Sequence, residues 1–158
     1  MTRMNLRGTK LLYIILLTSL FSSCDSCETM GAYELGNNLV LLEGDKLSDR
    51  IIVNCSGRSY GCCQGGSFIV PRSYEDKRNH YVETAKSNDQ WIVAKSIQST
   101  NNEKLQHYWI IDKQFNLDNV DCSSVRCDSI IQTYVTGPLV YEDFQEQVER
   151  LSINLKIE

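Results

Sequence analysis

Histidine and proline are scarce in this chain of 158 residues, with two of each, and it has no long hydrophobic run. Nucleophilic catalysis by Ser or Cys requires a base within reach. His80 and His107 are the only imidazoles, and neither falls in a recognisable catalytic motif. A bilayer core about 30 Å thick requires about 20 consecutive apolar residues for a helix to cross it. The one apolar stretch, Leu11 to Leu20, is half that length and is broken by Thr18 and Ser19. Basic residues are also short: 16 Lys and Arg stand against 20 Asp and Glu. An acidic balance argues against nucleic acid as a partner and against electrostatic adhesion to anionic lipid.

What is present at the N-terminus reads as an address. Arg3, Arg7 and Lys10 precede the apolar stretch, and Phe21-Ser22-Ser23-Cys24 follows it. A basic head, a short apolar run and a small-residue exit fit a secretion signal over residues 1–23. Cys24 stands where lipid is attached in lipoproteins, so residues 24–32 are expected to form a lipidated N-terminus and linker. Residues 33–158 would then be a single globular domain. The competing expectation is an ordinary secreted protein whose Cys24 pairs with another thiol. Without residues 1–23, 13 basic and 20 acidic residues remain, a net charge of −7. Acyl chains rather than a basic patch would have to hold the protein at a membrane, and two or more chains anchor stably.

Seven cysteines remain to be accounted for: Cys24, Cys27, Cys55, Cys62, Cys63, Cys122 and Cys127. Taking Cys24 out as the lipidated residue makes the count even, and six thiols pair in fifteen ways. The short Cys122 to Cys127 loop is expected to close on itself. Cys62 and Cys63 are adjacent, so in an extended strand they point to opposite faces and need different partners. Cys55 is expected to bond one of them and Cys27 the other. Zinc at Cys24-Asp-Ser-Cys27 is the rival reading. An oxidising compartment, lipidation of Cys24 and the lack of finger-type spacing disfavour it. A redox C-x-x-C would need a βαβ framework, and this one sits at the tether. No cofactor is implied.

Along the body, short runs rich in aromatic and β-branched residues alternate with turn residues. Residues 38–43, 50–54 and 67–70 read as strands, the last closed by Pro71. Residues 80–86, 90–99 and 105–113 read as a three-stranded meander. In it, Trp91, Val93 and Ile97 share one face, while Trp109 and Ile111 lie opposite Tyr108 and Ile110. Residues 114–128 read as a loop and residues 130–135 as another strand. Gly137-Pro138 is expected to open a helix in which Tyr141, Phe144, Val148 and Leu151 form one apolar stripe. No internal repeat is convincing. The fold class expected is α+β: one antiparallel β-meander sheet of five to seven strands, disulfide-stapled, with the C-terminal amphipathic helix packed on one face.

The order Tyr33-Glu34-Leu35-Gly36-Asn37, His80-Tyr81-Val82, Asn88-Asp89-Gln90-Trp91-Ile92-Val93-Ala94, Tyr108-Trp109-Ile110-Ile111-Asp112 and Gly137-Pro138-Leu139 with Phe144 resembles an uncharacterised family of small bacterial lipoproteins. The resemblance implies a lipid-anchored envelope protein, but it carries no assigned activity and no functional residue. On the residues alone, the leading expectation is a non-enzymatic binding, inhibitor or adaptor module. Its partners would be the membrane, through the N-terminal lipid, and an envelope protein or other macromolecule. The alternative is a small envelope hydrolase or thiol-redox protein using Cys62 and Cys63 or an Asp/His pair. Asp112, ending an apolar strand, is the acid whose burial beside His107 would favour an enzyme. The glycines Gly57, Gly61, Gly65 and Gly66 lack the Lys-Ser/Thr of a phosphate loop and read as turn residues around a disulfide knot.

Overall fold

The computed structural model describes residues 26–29, 31–77, 79–100, 103–122 and 124–157. Cys24 and the signal segment lie outside the described residues. A helical turn, α1 (Ser26–Thr29), leads into β1 (Ala32–Gly36), β2 (Leu39–Leu42), a 3₁₀ turn at Leu47–Asp49, β3 (Ile51–Ser59) and β4 (Cys62–Val70). After α2 (Tyr74–Lys77) come β5 (His80–Ser87), β6 (Trp91–Thr100) and β7 (Glu103–Asp112). The chain closes with α3 (Cys127–Gln132), β8 (Val135–Leu139) and α4 (Tyr141–Arg150).

The single sheet of five to seven strands is not what forms. The strands make two separate four-stranded antiparallel sheets, ordered β1-β2-β3-β4 and β5-β6-β7-β8. The break falls after Val70, where Pro71 has no N–H to donate and α2 lengthens the connection. The two sheets share one apolar core. Leu35, Leu39, Leu41, Ile52 and Val70 of the first meet Val82, Ile92, Ala94, Trp109 and Ile111 of the second. Arg50 joins them at one corner. Its carbonyl accepts from the Val82 N–H at 3.0 Å, and its guanidinium donates to the Glu83 carbonyl at 3.0 Å and pairs with Glu43.

Both faces of β7 are covered. Tyr108 and Ile110 turn outward with Trp91 and Val93 and lie under Phe144 of α4 and under Ile153 and Ile157 beyond it. The Phe144 ring stacks on Tyr108 at 5.0 Å, and Val148 and Leu151 continue the stripe. The stretch expected to be a strand at 130–135 is instead the helix α3. Cys127 and Ile131, four residues apart, are its buried face, and Asp128 in its first turn favours the positive end of the helix. Tertiary burial here overrides β propensity. Gly137-Pro138 does not open the helix either. Both residues lie within β8, a strand at the sheet edge, where a proline costs no ladder bond. At Gly137 (φ 138°) a Cβ would come within 2.7 Å of the Trp109 ring and 2.8 Å of the Tyr108 carbonyl, so only glycine fits.

The outer face of the first sheet is closed differently. Register shifts near Ser56 and Gln64 bend the far half of the β3–β4 hairpin across that face. Cys63 thereby joins Ala32, Val40, Val53 and Cys55 in a second buried cluster, with Cys27 and Phe68 packed against it. At Gly66 a Cβ would collide with the Asn54 carbonyl, which ties this glycine to the bend. Three disulfides are present: Cys27–Cys62, Cys55–Cys63 and Cys122–Cys127. Among the described residues, no helix is long and apolar enough to cross a membrane.

Candidate functional site

Where β1 turns into β2, Asn37 (φ 48°) and Asn38 (φ 61°) both adopt the left-handed conformation. Asn tolerates that region because its short amide bonds locally. These amides also reach far along the chain. Asn37 Nδ2 donates to the carbonyls of Lys113 (2.7 Å) and Phe115 (2.9 Å). Asn38 Nδ2 donates to Asn54 Oδ1 (3.0 Å) and to the Cys55 carbonyl (2.6 Å), while its Oδ1 accepts from Arg58 at 3.1 Å. Lys113 Nζ donates to the Leu35 carbonyl at 2.8 Å. Burial of that ammonium pushes its pKa below the ordinary lysine value. The turn is thereby clamped between strand β3 and the loop that follows β7.

These clamps frame a cleft of about 750 Å³. Its walls are Asn37 and Asn38, then Asn54 to Ser56 on β3, and the loop from Lys113 to Asp118, with Cys122 at the rim. The volume lies within the roughly 300–1,000 Å³ typical of ligand sites. Asn54, Gln114 and Asn116 offer amides, Asp118 a carboxylate, and Phe115 and Leu117 apolar surface. The Asn116 side-chain oxygen Oδ1 accepts from the Asp118 N–H at 2.6 Å, which fixes that loop. The cleft is thus a rigid trough that can both donate and accept hydrogen bonds.

Farther along the same hairpin, the β3–β4 turn displays Tyr60, 94% exposed at φ 51°, followed by Gly61 at φ 85°. Two successive positive φ values over a two-residue connection make a type I′ hairpin turn. Arg58 steadies it from beneath, donating to Glu34 Oε1 (2.7 Å) and to the Gly61 carbonyl (2.9 Å). The Glu34 carboxylate raises the Arg58 pKa, chiefly through that hydrogen bond.

The imidazoles sit elsewhere. His80 Nε2 lies 2.7 Å from Ser96 Oγ, which also accepts from Trp109 Nε1 at 2.7 Å. Ser96 is completely buried and His80 nearly so, which seals this Ser–His pair from any substrate. The guanidinium of Arg72 lies 5.7 Å from the centre of the Trp109 ring and donates to the Gly137 carbonyl at 2.7 Å. His107 meets Gln98 Oε1 at 3.1 Å, whereas Asp112 Oδ1 accepts from the Gln114 N–H in a turn. Five residues apart on β7, His107 and Asp112 project to opposite faces of the strand.

Cys27, Cys62 and Cys63, the thiols weighed for metal and redox chemistry, are all held in disulfides. Among the described residues, no group of three or more His, Cys, Asp or Glu is placed to hold a metal ion. Gly57, Gly61, Gly65 and Gly66 all belong to the bent hairpin. Reasoning from residue order missed the clamps, because the carbonyls that Asn37 and Lys113 reach lie 76 to 78 residues away. It also passed over Tyr60, for which the signal was an aromatic-Gly pair between two cysteine-bearing strands. No family model, no curated protein and no solved structure matches the chain.

Proposed function

We propose that the protein is a binding module of the cell envelope, anchored on the extracytoplasmic side by acyl chains on Cys24. It takes an extended polar segment of an envelope protein into the Asn54–Gln114–Asn116 cleft. The observation that carries this reading is the clamped cleft itself. Its shape is set by six side-chain hydrogen bonds before any ligand arrives, which lowers the ordering cost of binding. Neutral amides beside an apolar floor suit a peptide backbone, which offers donors and acceptors in alternation. Signal-like residues 1–23, the even count of cysteines beyond Cys24 and the resemblance to small bacterial lipoproteins support the anchored location. A hydrolase built on His80 and Ser96 is not favoured, because Ser96 has no access to solvent.

Photo-crosslinking of the membrane-anchored protein in its native envelope tests the reading. Gln114→Trp, which fills the cleft from an exposed position, should abolish the cross-linked partner, while Glu149→Arg on the outer side of α4 should retain it. Equal capture by both variants would refute the cleft assignment. Cys24→Ala should abolish labelling by a fatty-acid probe and release the protein from membranes; continued labelling would refute the anchor.

A further inference from the structure

The Cys27–Cys62 bond limits how far the β3–β4 turn can lie from Cys24. Cys24 and Cys27 are separated by Asp25 and Ser26 alone. Three residues of extended chain span at most about 11 Å. The Cα atoms of Cys27 and Cys62 lie 5.1 Å apart. The backbone at Cys62 is therefore held within about 16 Å of Cys24. Cys62 directly follows the Tyr60-Gly61 turn, so the most exposed large hydrophobic side chain of the described residues is carried on the same short strap.

The chemistry of the turn suits a lipid surface. The stretch from Ser56 to Gly66 contains no carboxylate and one guanidinium, in a chain with a net charge of −4. Arg58 is neutralised by Glu34, leaving a tip that neither anionic nor zwitterionic headgroups repel. Tyrosine is amphipathic, and tyrosines concentrate at membrane–water boundaries with the ring toward the acyl chains and the hydroxyl in the headgroup layer. A bulky residue held at positive φ is a strained choice for a turn where Asn or Gly would be relaxed, and strain of this kind collects at functional positions.

We propose that the Ser59–Gly61 turn is the membrane-apposed end of the domain, with the Tyr60 ring seated in the headgroup layer of the bilayer that holds the acyl chains of Cys24. This rests on the anchored reading above. The disulfide thus converts a flexible tether into an oriented one and holds the domain in a fixed attitude to the membrane.

The test uses the acylated full-length protein in phosphatidylcholine and phosphatidylglycerol vesicles, with and without bromine on the acyl chains. Tyr60→Trp adds an emission whose quenching reports depth, and Tyr141→Trp on α4 serves as the distant control. Each is read as a difference from the parent protein, whose Trp91 and Trp109 are common to all. The expected result is that brominated lipid removes most of the emission added by Tyr60→Trp and leaves that of Tyr141→Trp unchanged. Mass measurement of the same sample separates two failures. Acylated Cys24 with an unquenched Tyr60→Trp signal overturns the orientation alone. A Cys24 without acyl chains overturns the anchored reading and the orientation together.

Discussion

Replacing Tyr60 by Asn should make the protein more stable, although it removes an aromatic side chain. A left-handed backbone costs an ordinary L-residue about 1–2 kcal/mol, and Asn escapes most of that penalty by local hydrogen bonding. The usual loss from deleting an aromatic ring is its burial, and Tyr60 has almost none, being 94% exposed. Nor is the phenol hydroxyl hydrogen-bonded to Arg58, whose donors go to Glu34, Asn38 and the Gly61 carbonyl. The balance is a gain of about 0.5–1 kcal/mol. Urea unfolding with the disulfides intact measures it: the midpoint should rise while the slope with denaturant stays constant, because the surface exposed on unfolding is nearly unchanged. Tyr60→Val should move the midpoint the other way, since a β-branched residue is still less suited to positive φ. A fall in the midpoint for Tyr60→Asn would refute the claim that this turn is strained and would show that the ring makes stabilising contacts. A gain in stability coupled to loss of membrane apposition would identify the tyrosine as kept for function at the expense of stability.

Other positions respond in calculable ways. Gly137→Ala should cost about 1–3 kcal/mol or more by thermal unfolding, because its Cβ meets the Trp109 ring and the Tyr108 carbonyl at positive φ and neither can retreat. Ser96→Ala removes the acceptor of the buried Trp109 indole and should cost about 1–3 kcal/mol, with a change in near-ultraviolet circular dichroism that reports the indole environment. The Asp128 carboxyl is held below its ordinary 3.8, chiefly by the hydrogen bond from Arg126. Between the lowered and the ordinary value the unfolded chain binds more protons. The stabilisation is therefore complete above the ordinary value and disappears as pH falls through the lowered one. Asp128→Asn should flatten this acid limb of the stability curve. The effect should be small and weaken with salt, since the Arg126 side chain is 83% exposed.

The strands of the meander are legible in the sequence because alternation along 91–97 and 105–111 reports directly which side chains point together. Alternation does not report which strands share a ladder. Both sheets are meanders of sequential strands, and the connection at 71–79 that divides them is shorter than the one at 113–134 inside the second sheet, so length does not mark the division and Pro71 was readable merely as a strand end. The helix α3 was misread for a related reason. Ile130-Ile131 and Val135 have the composition of a strand, and what selects the helix is the buried pair Cys127 and Ile131 together with the loop closed at Cys122. Residues 137–138 misled because a Gly-Pro pair suits a helix start and an edge strand equally, and only the contact of Gly137 with Trp109 separates them. The cleft was illegible for a different reason. Its makers, Asn37 and Asn38, act chiefly on main-chain carbonyls, which every residue possesses and no pattern marks.

The two sheets solve one problem by opposite means, and the difference explains where the cysteines are. Each shares an inner face and must cover an outer one. The second sheet covers its outer face with α4, whose Phe144 and Val148 and the following Ile153 and Ile157 suffice as an apolar lid. The first sheet has no such helix among the described residues and uses its own β3–β4 hairpin, bent back over Val40 and Val53 and backed by Cys27. That cover is thin and rich in glycine and lacks the apolar stripe that holds α4. Covalent links supply what packing does not. Cys27–Cys62 closes a separation of 35 residues and Cys55–Cys63 one of 8. By chain entropy alone such closures contribute about 4 and about 2.5 kcal/mol. Two of the three disulfides therefore sit in the cover that has no apolar helix, and one of them joins the bent hairpin to the segment leading toward Cys24. On the proposed anchoring, the stabilisation of this hairpin and the orientation of the tether would arise from the same bond, so neither could be altered without the other.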